Sequence, residues 1–163
     1  MKKQNSRISM ITCRLMAVCG VLVSGAFAQA QTASGACTDR VLRGDYGFTI
    51  EGVLVPSPSI AVPIRGVAMT TFNGDGTLIQ VDHVVVPGVP PPVLEWTPGV
   101  GTYHVNPDCT GTAHINSPST GEFTNLRFVV VGNGKEIHTV VAPPFDLGGL
   151  DRAVTSVGIR RDN

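Results

Sequence analysis

Four histidines, His83, His104, His114 and His138, are the residues of this chain best suited to bind a metal or move a proton. Imidazole is the commonest metal ligand and titrates near neutral pH, and strands can converge several such rings on one face. The spacing does not favour a metal, since no His-x-x-x-His or Cys-x-x-Cys pair occurs. In the segment around Cys109, His104 and His114 are expected to face each other on a wet surface with Thr102, Asn106, Thr112 and Asn116. Tyr103, Val105, Ala113 and Ile115 would then form the apolar side. The carboxylates Glu51, Asp82, Glu95, Glu122, Asp146 and Asp151 mix with Arg65, Arg127 and Arg152, a pattern expected of a solvated rim more than of paired catalytic acids. Nucleophilic chemistry has less support, because no Gly-x-Ser-x-Gly is present. Gly74 and Gly76 join two strands and open no helix, so they serve a turn and cradle no phosphate. These residues assign no catalytic group, metal or cofactor.

The first 30 residues have the character of a secretory signal. Lys2, Lys3, Arg7 and Arg14 precede an apolar run from Leu15 to Val23, followed by two Ala-x-Ala sites ending at Ala28 and Ala30. The run is too short to cross about 30 Å of hydrocarbon. Cys19 lacks the small preceding residue of a lipidated cysteine, which leaves a lipid anchor as a minor alternative. The expected location is therefore secreted or periplasmic. Removal of residues 1–30 leaves eight basic residues against 12 acidic ones, a net charge of about −4 with no basic stripe for phosphates, which argues against nucleic acid. Cys13 and Cys19 leave with the signal. Cys37 and Cys109 remain and are expected to pair in an oxidising compartment, with two separate buried thiols as the alternative.

Val, Thr, Gly and Pro are abundant and no window carries a helical period, so residues 31–163 are expected to form one all-β domain. Eight strand-like segments recur: 46–55, 64–72, 77–86, 101–106, 112–116, 126–131, 136–141 and 152–160. Tight turns are expected at 73–76, 107–111 and 133–134, the last an Asn-Gly pair suited to a type I′ hairpin. Long Pro- or Gly-rich connections are expected at 56–63, 87–100, 117–124 and 142–151. Alternation of long and short connections predicts an up-and-down barrel with one closed and one open end. Cys37, just before the first strand, and Cys109, in a tight turn, both fall at the closed end. A β-sandwich is the alternative fold.

Gly44-Asp45-Tyr46 resembles the calycin signature, in which Gly-x-Trp opens the first strand and a basic residue of the last strand packs over the ring; Arg160 or Arg161 would be that residue. More broadly, Gly44-Asp45-Tyr46-Gly47-Phe48, Phe72-Asn73-Gly74-Asp75-Gly76, Gly101-Thr102-Tyr103 and Asn106-Pro107-Asp108-Cys109-Thr110-Gly111 are similar to a group of uncharacterised secreted bacterial barrels of calycin or allene oxide cyclase type. The resemblance implies an apolar ligand or isomerisation of a lipid-derived substrate. The loop 87–99 holds the only Trp among prolines, and with Phe145 it marks the open end. Leu94, Trp96 and Phe145 are the expected ligand wall. The leading expectation is a non-catalytic barrel binding a small apolar molecule. A protein-interaction module using the same loops is the alternative, and an isomerase or cyclase is the third reading.

Overall fold

The computed structural model describes residues 36–57, 59–88, 90, 95–144 and 151–162. Eight strands follow a 3-10 turn at Asp39–Val41: β1 (Arg43–Ser57), β2 (Ile60–Asn73), β3 (Thr77–Val85), β4 (Thr97–Val105), β5 (Thr110–Ser117), β6 (Glu122–Val131), β7 (Glu136–Ala142) and β8 (Asp151–Arg160). Each pairs antiparallel with the next, and β8 returns to β1, giving a closed up-and-down barrel. Closure leaves no strand edge for another chain to extend. The expected signal segment, residues 1–30, lies outside the described residues.

The strands are tilted, as closure demands. One row of paired residues starts at Val130, near the end of β6, and passes through Ile137, Gly158, Phe48, Ala68 and Asp82 to Thr97 at the start of β4. That row climbs from the closed end to the open end. Period-2 alternation sends Tyr46 and Phe48 of β1, Phe72 of β2, Tyr103 and Val105 of β4, and Phe128 and Val130 of β6 inward, all buried. Bulk on one strand is matched by glycine on the next. A Cβ on Gly158 would stand 2.4 Å from the Phe48 ring, and one on Gly111 would stand 2.3 Å from the Phe128 ring.

The closed end is sealed by aromatic packing and hydrogen bonds. Phe72 sits edge-on to Tyr46 (centroids 5.2 Å) and to Tyr103 (5.0 Å). Leu42 is wholly buried beneath them. The Tyr103 hydroxyl accepts from the Gly74 N–H at 3.0 Å and lies 2.9 Å from the Asp39 and Leu42 carbonyls, binding the first turn to the N-terminal segment. Cys37 and Cys109 form a disulfide with Cα atoms 5.1 Å apart, and the Cys37 N–H donates to the Pro107 carbonyl. The Tyr46 hydroxyl donates to the Gly134 carbonyl, and Tyr46 pairs across the closing strands with Arg160, while Arg161 lies 3.9 Å from Asp45.

Two expectations about connections need correction. The stretch 56–63 is no long loop, because β1 runs to Ser57 and β2 begins at Ile60. Pro56 falls beyond the last β1–β8 pair, Val55↔Asp151, and Pro63 beyond the first β2–β3 pair, Arg65↔Val85. With a neighbour on one side only, a missing N–H costs little there. Likewise 117–124 closes as a four-residue turn at 118–121, with the Thr120 and Gly121 N–H groups donating to the Ser117 carbonyl. The long connections of the open end are therefore 86–96 and 143–150.

Candidate functional site

Alternation of large and small or polar residues divides the barrel interior. Aromatic rings fill the closed half. Higher up, the inward positions of β2 and β3 are Thr70, Gln80 and Asp82, and those of β7 and β8 include Thr139 and Ser156. Thr70 is 2% exposed and donates its hydroxyl to Gln80 Oε1 at 3.0 Å. Gln80 Nε2 donates in turn to Asp82 Oδ2 at 3.0 Å. The donors thus point one way, towards the open end, and the ladder ends on a carboxylate. Such chains polarise one another, which strengthens the terminal acceptor. Thr139 and Ser156 hydroxyls share a hydrogen bond at 2.7 Å on the β7–β8 wall.

Desolvation raises the Asp82 carboxyl above its ordinary value, because burial penalises the charged form; the hydrogen bond from Gln80 and the charge of His83 oppose this in part. Asp82 can therefore accept from a donor when ionised, or donate when protonated. Sequence patterning placed it in a charged rim. The signal that misled is visible in β3 itself: Ile79, Val81, His83 and Val85 are the more apolar alternation, yet they point outward, while Leu78, Gln80 and Asp82 point inward. The Phe72↔Leu78 pair at the tight turn sets that register.

The histidines all lie on the outer wall. His104 pairs with Thr112, and His114 with Thr102, so the two rings are diagonal neighbours and do not face each other as expected. They border an open cleft of about 320 Å3 with Thr102, Thr112, Asn125 and Arg127. His114 Nδ1 lies 2.7 Å from Asn125 Oδ1, and Asn125 Nδ2 donates to the Pro144 carbonyl. That second bond turns the Asn125 amide so that its Oδ1 faces His114 Nδ1, while His114 Nε2 lies 3.2 Å from Asn116 Oδ1. His138 Nε2 sits 2.8 Å from Glu136 Oε1, and His104 Nδ1 sits 3.4 Å from Asp39 Oδ1. Among the described residues no three His, Cys, Asp or Glu side chains converge as metal ligands. A second open cleft, about 300 Å3, lies outside β1, β2 and β8 beside Glu51, Arg65 and Thr155.

Of the three residues expected to line a ligand wall, Leu94 and Phe145 lie outside the described residues. Trp96 is 47% exposed, with its ring edge towards His83 (centroids 6.2 Å), and the Glu95 carbonyl lies 2.6 Å from His83 Nδ1. Because His83 points outward from β3, the indole rests against the outside of the wall, beside the mouth. No helix among the described residues is long and apolar enough to cross a membrane. No known protein family, curated protein or solved structure matches this chain.

Proposed function

We propose that the barrel binds a small, largely apolar molecule carrying one hydrogen-bonding group, admitted at the open end and anchored on Asp82. The observation that carries this reading is the Thr70–Gln80–Asp82 ladder, three polar side chains directed inward where strand patterning alone would have placed apolar ones. A folding domain gains little from desolvating a carboxylate, so a group buried this way is a candidate for function. The aromatic floor limits the occupant to the upper half, hence its small size. The apolar requirement comes from Ile50, Leu126 and Val154 on the surrounding walls, and it fits the calycin resemblance of Gly44-Asp45-Tyr46. Export to the periplasm or beyond, read from residues 1–30, would place the binding outside the cytoplasm.

N-phenyl-1-naphthylamine, a neutral apolar dye with one N–H donor, is a direct probe. Its fluorescence should rise on binding, amide resonances of residues 80–84 and 152–156 should shift, and Asp82→Asn should weaken binding by about 1–3 kcal/mol. Shifts confined to the outer wall, or equal affinity for Asp82→Asn, would refute the site.

The raised Asp82 carboxyl also favours a second reading, proton transfer to or from a bound substrate, as an isomerase or cyclase would need. In that case Asp82→Asn should abolish turnover of an isomerisable lipid-derived substrate while leaving its binding nearly intact.

A further inference from the structure

We propose that one half of the outer barrel wall, formed by β8, β1, β2, β3 and the start of β4, is where a second copy of this chain docks. Two strands of this sector turn their more apolar alternation to the outside. β3 exposes Ile79 and Val81 while turning the half-buried Gln80 and Asp82 inward, and β8 exposes Val157 and Ile159 over Ser156 and Gly158. Folding of one barrel gains nothing from such outward faces.

Register joins these residues into one surface. Ile159 pairs with Gly47, Gly47 with Met69, Met69 with Val81, and Val81 with Pro98, a row that crosses five strands without a charge. The row above it runs Val157, Thr49, Val67. Ile79, Ile159 and Val67 are 55%, 53% and 48% exposed. These exposed apolar side chains adjoin one another instead of lying scattered, and with a polar border they form the kind of contiguous patch that marks an interface.

The shape and border suit self-association. Gly47 lacks a side chain between Met69 and Ile159, and the space over it is open, so the face carries a notch flanked by two ridges. Charges border the patch at both ends and in both signs: Asp45 with Arg161 at the closed end, Glu51 opposite Arg65 at the other. A copy rotated by a two-fold axis therefore meets opposite charge at each border, which is the self-complementarity an isologous dimer needs. A bilayer is a poorer fit. The wall of β5 and the first half of β6 presents Thr112, His114, Asn116, Asn125 and Arg127, and the exposed Val129, Val131 and Val140 beyond it are interrupted by Glu136 and His138, whereas a membrane barrel is apolar all round.

Sedimentation equilibrium of the purified protein should give twice the monomer mass. Val81→Arg and Ile159→Arg should each raise the dimer dissociation constant by more than about tenfold, since either buries an unpaired charge at the contact. Thr112→Arg on the opposite wall should leave it unchanged. Each of these side chains points outward, and far-UV circular dichroism identical to wild type checks that every variant still folds. If Val81→Arg does not fold, Val81→Ser replaces it. A monomer at every soluble concentration, or a dimer indifferent to both arginines, overturns the proposal. So does a monomer that floats with phosphatidylglycerol vesicles and loses that property in Val81→Arg, a result that would assign the face to lipid.

Discussion

Asp82, Asp75 and Asp108 are three carboxylates with opposite pH consequences. Desolvation raises Asp82, so the stability it contributes is fully present below the ordinary carboxylate value of about 3.9 and is lost as pH rises through the raised value. Asp75 and Asp108 are lowered, each by accepting from the hydroxyl and backbone N–H of the threonine two residues on, Thr77 and Thr110. Their contribution is present above the ordinary value and is lost as pH falls through the lowered one. Urea midpoints measured from pH 2 to 8 should therefore decline on both sides of a maximum in mild acid. Asp82→Asn should flatten only the decline on the high-pH side, and Asp75→Asn should reduce only the acid one. A high-pH side unchanged in Asp82→Asn would mean that Asp82 is solvated, and the candidate site with it.

At the scale of the strand and the turn, glycine sets how closely neighbours approach. A Cβ on Gly101 of β4 would stand 2.1 Å from the His114 carbonyl oxygen of β5, and backbone cannot move aside as a side-chain tip can. Gly101→Ala should thus cost about 3 kcal/mol in urea denaturation, by forcing the β4–β5 pair apart. The disulfide acts on the same hairpin: Cys109, at φ +66°, anchors the segment that carries Leu42 beneath the aromatic floor. Cys37→Ala with Cys109→Ala should lower stability by roughly 4 kcal/mol, since the bridge joins residues 72 apart. Guanidinium unfolding with and without reductant checks this.

Turn chemistry is also why most of this fold was legible in advance. The Asn133-Gly134 turn takes the positive φ values of its type, +56° and +79°, and the pairs Leu126↔Val141, Phe128↔Thr139 and Val130↔Ile137 follow from it. The Cys109 hairpin buries Tyr103, Val105, Ala113 and Ile115 as its alternation demands. Legibility failed where alternation offered two credible faces. In β3 a one-residue choice of register decides whether Val81 or Asp82 is inside, and the choice is made by Phe72 and Leu78 at the far end of the strand. Prolines at 56 and 63 suggested a loop because their neighbours on the outer side are missing, a fact of topology that local composition does not carry. The candidate site was thus the least readable part, and the closed end the most readable.

For the whole molecule, the pairing of β1 with β8 has a consequence in time. Tyr46 and Arg160 are direct partners, as are Val55 and Asp151, so the strand that begins the barrel is completed by the strand that ends it. Until β8 arrives, β1 and β7 each present a row of free N–H and C=O groups, and the aromatic floor is open beside Phe48, whose glycine platform, Gly158, comes from the last strand. Contacts of this sequence separation form slowly, on the order of milliseconds to seconds. A newly made chain therefore passes through an eighth-strand vacancy in which a stray strand from a neighbour can dock as readily as its own. Supplying a synthetic peptide of residues 151–163 in trans during refolding of a chain ending at residue 150 should restore native-like circular dichroism and suppress light scattering. Without the peptide the truncated chain should aggregate, and a truncated chain that stays monomeric alone would show that closure is not what keeps this protein from its neighbours.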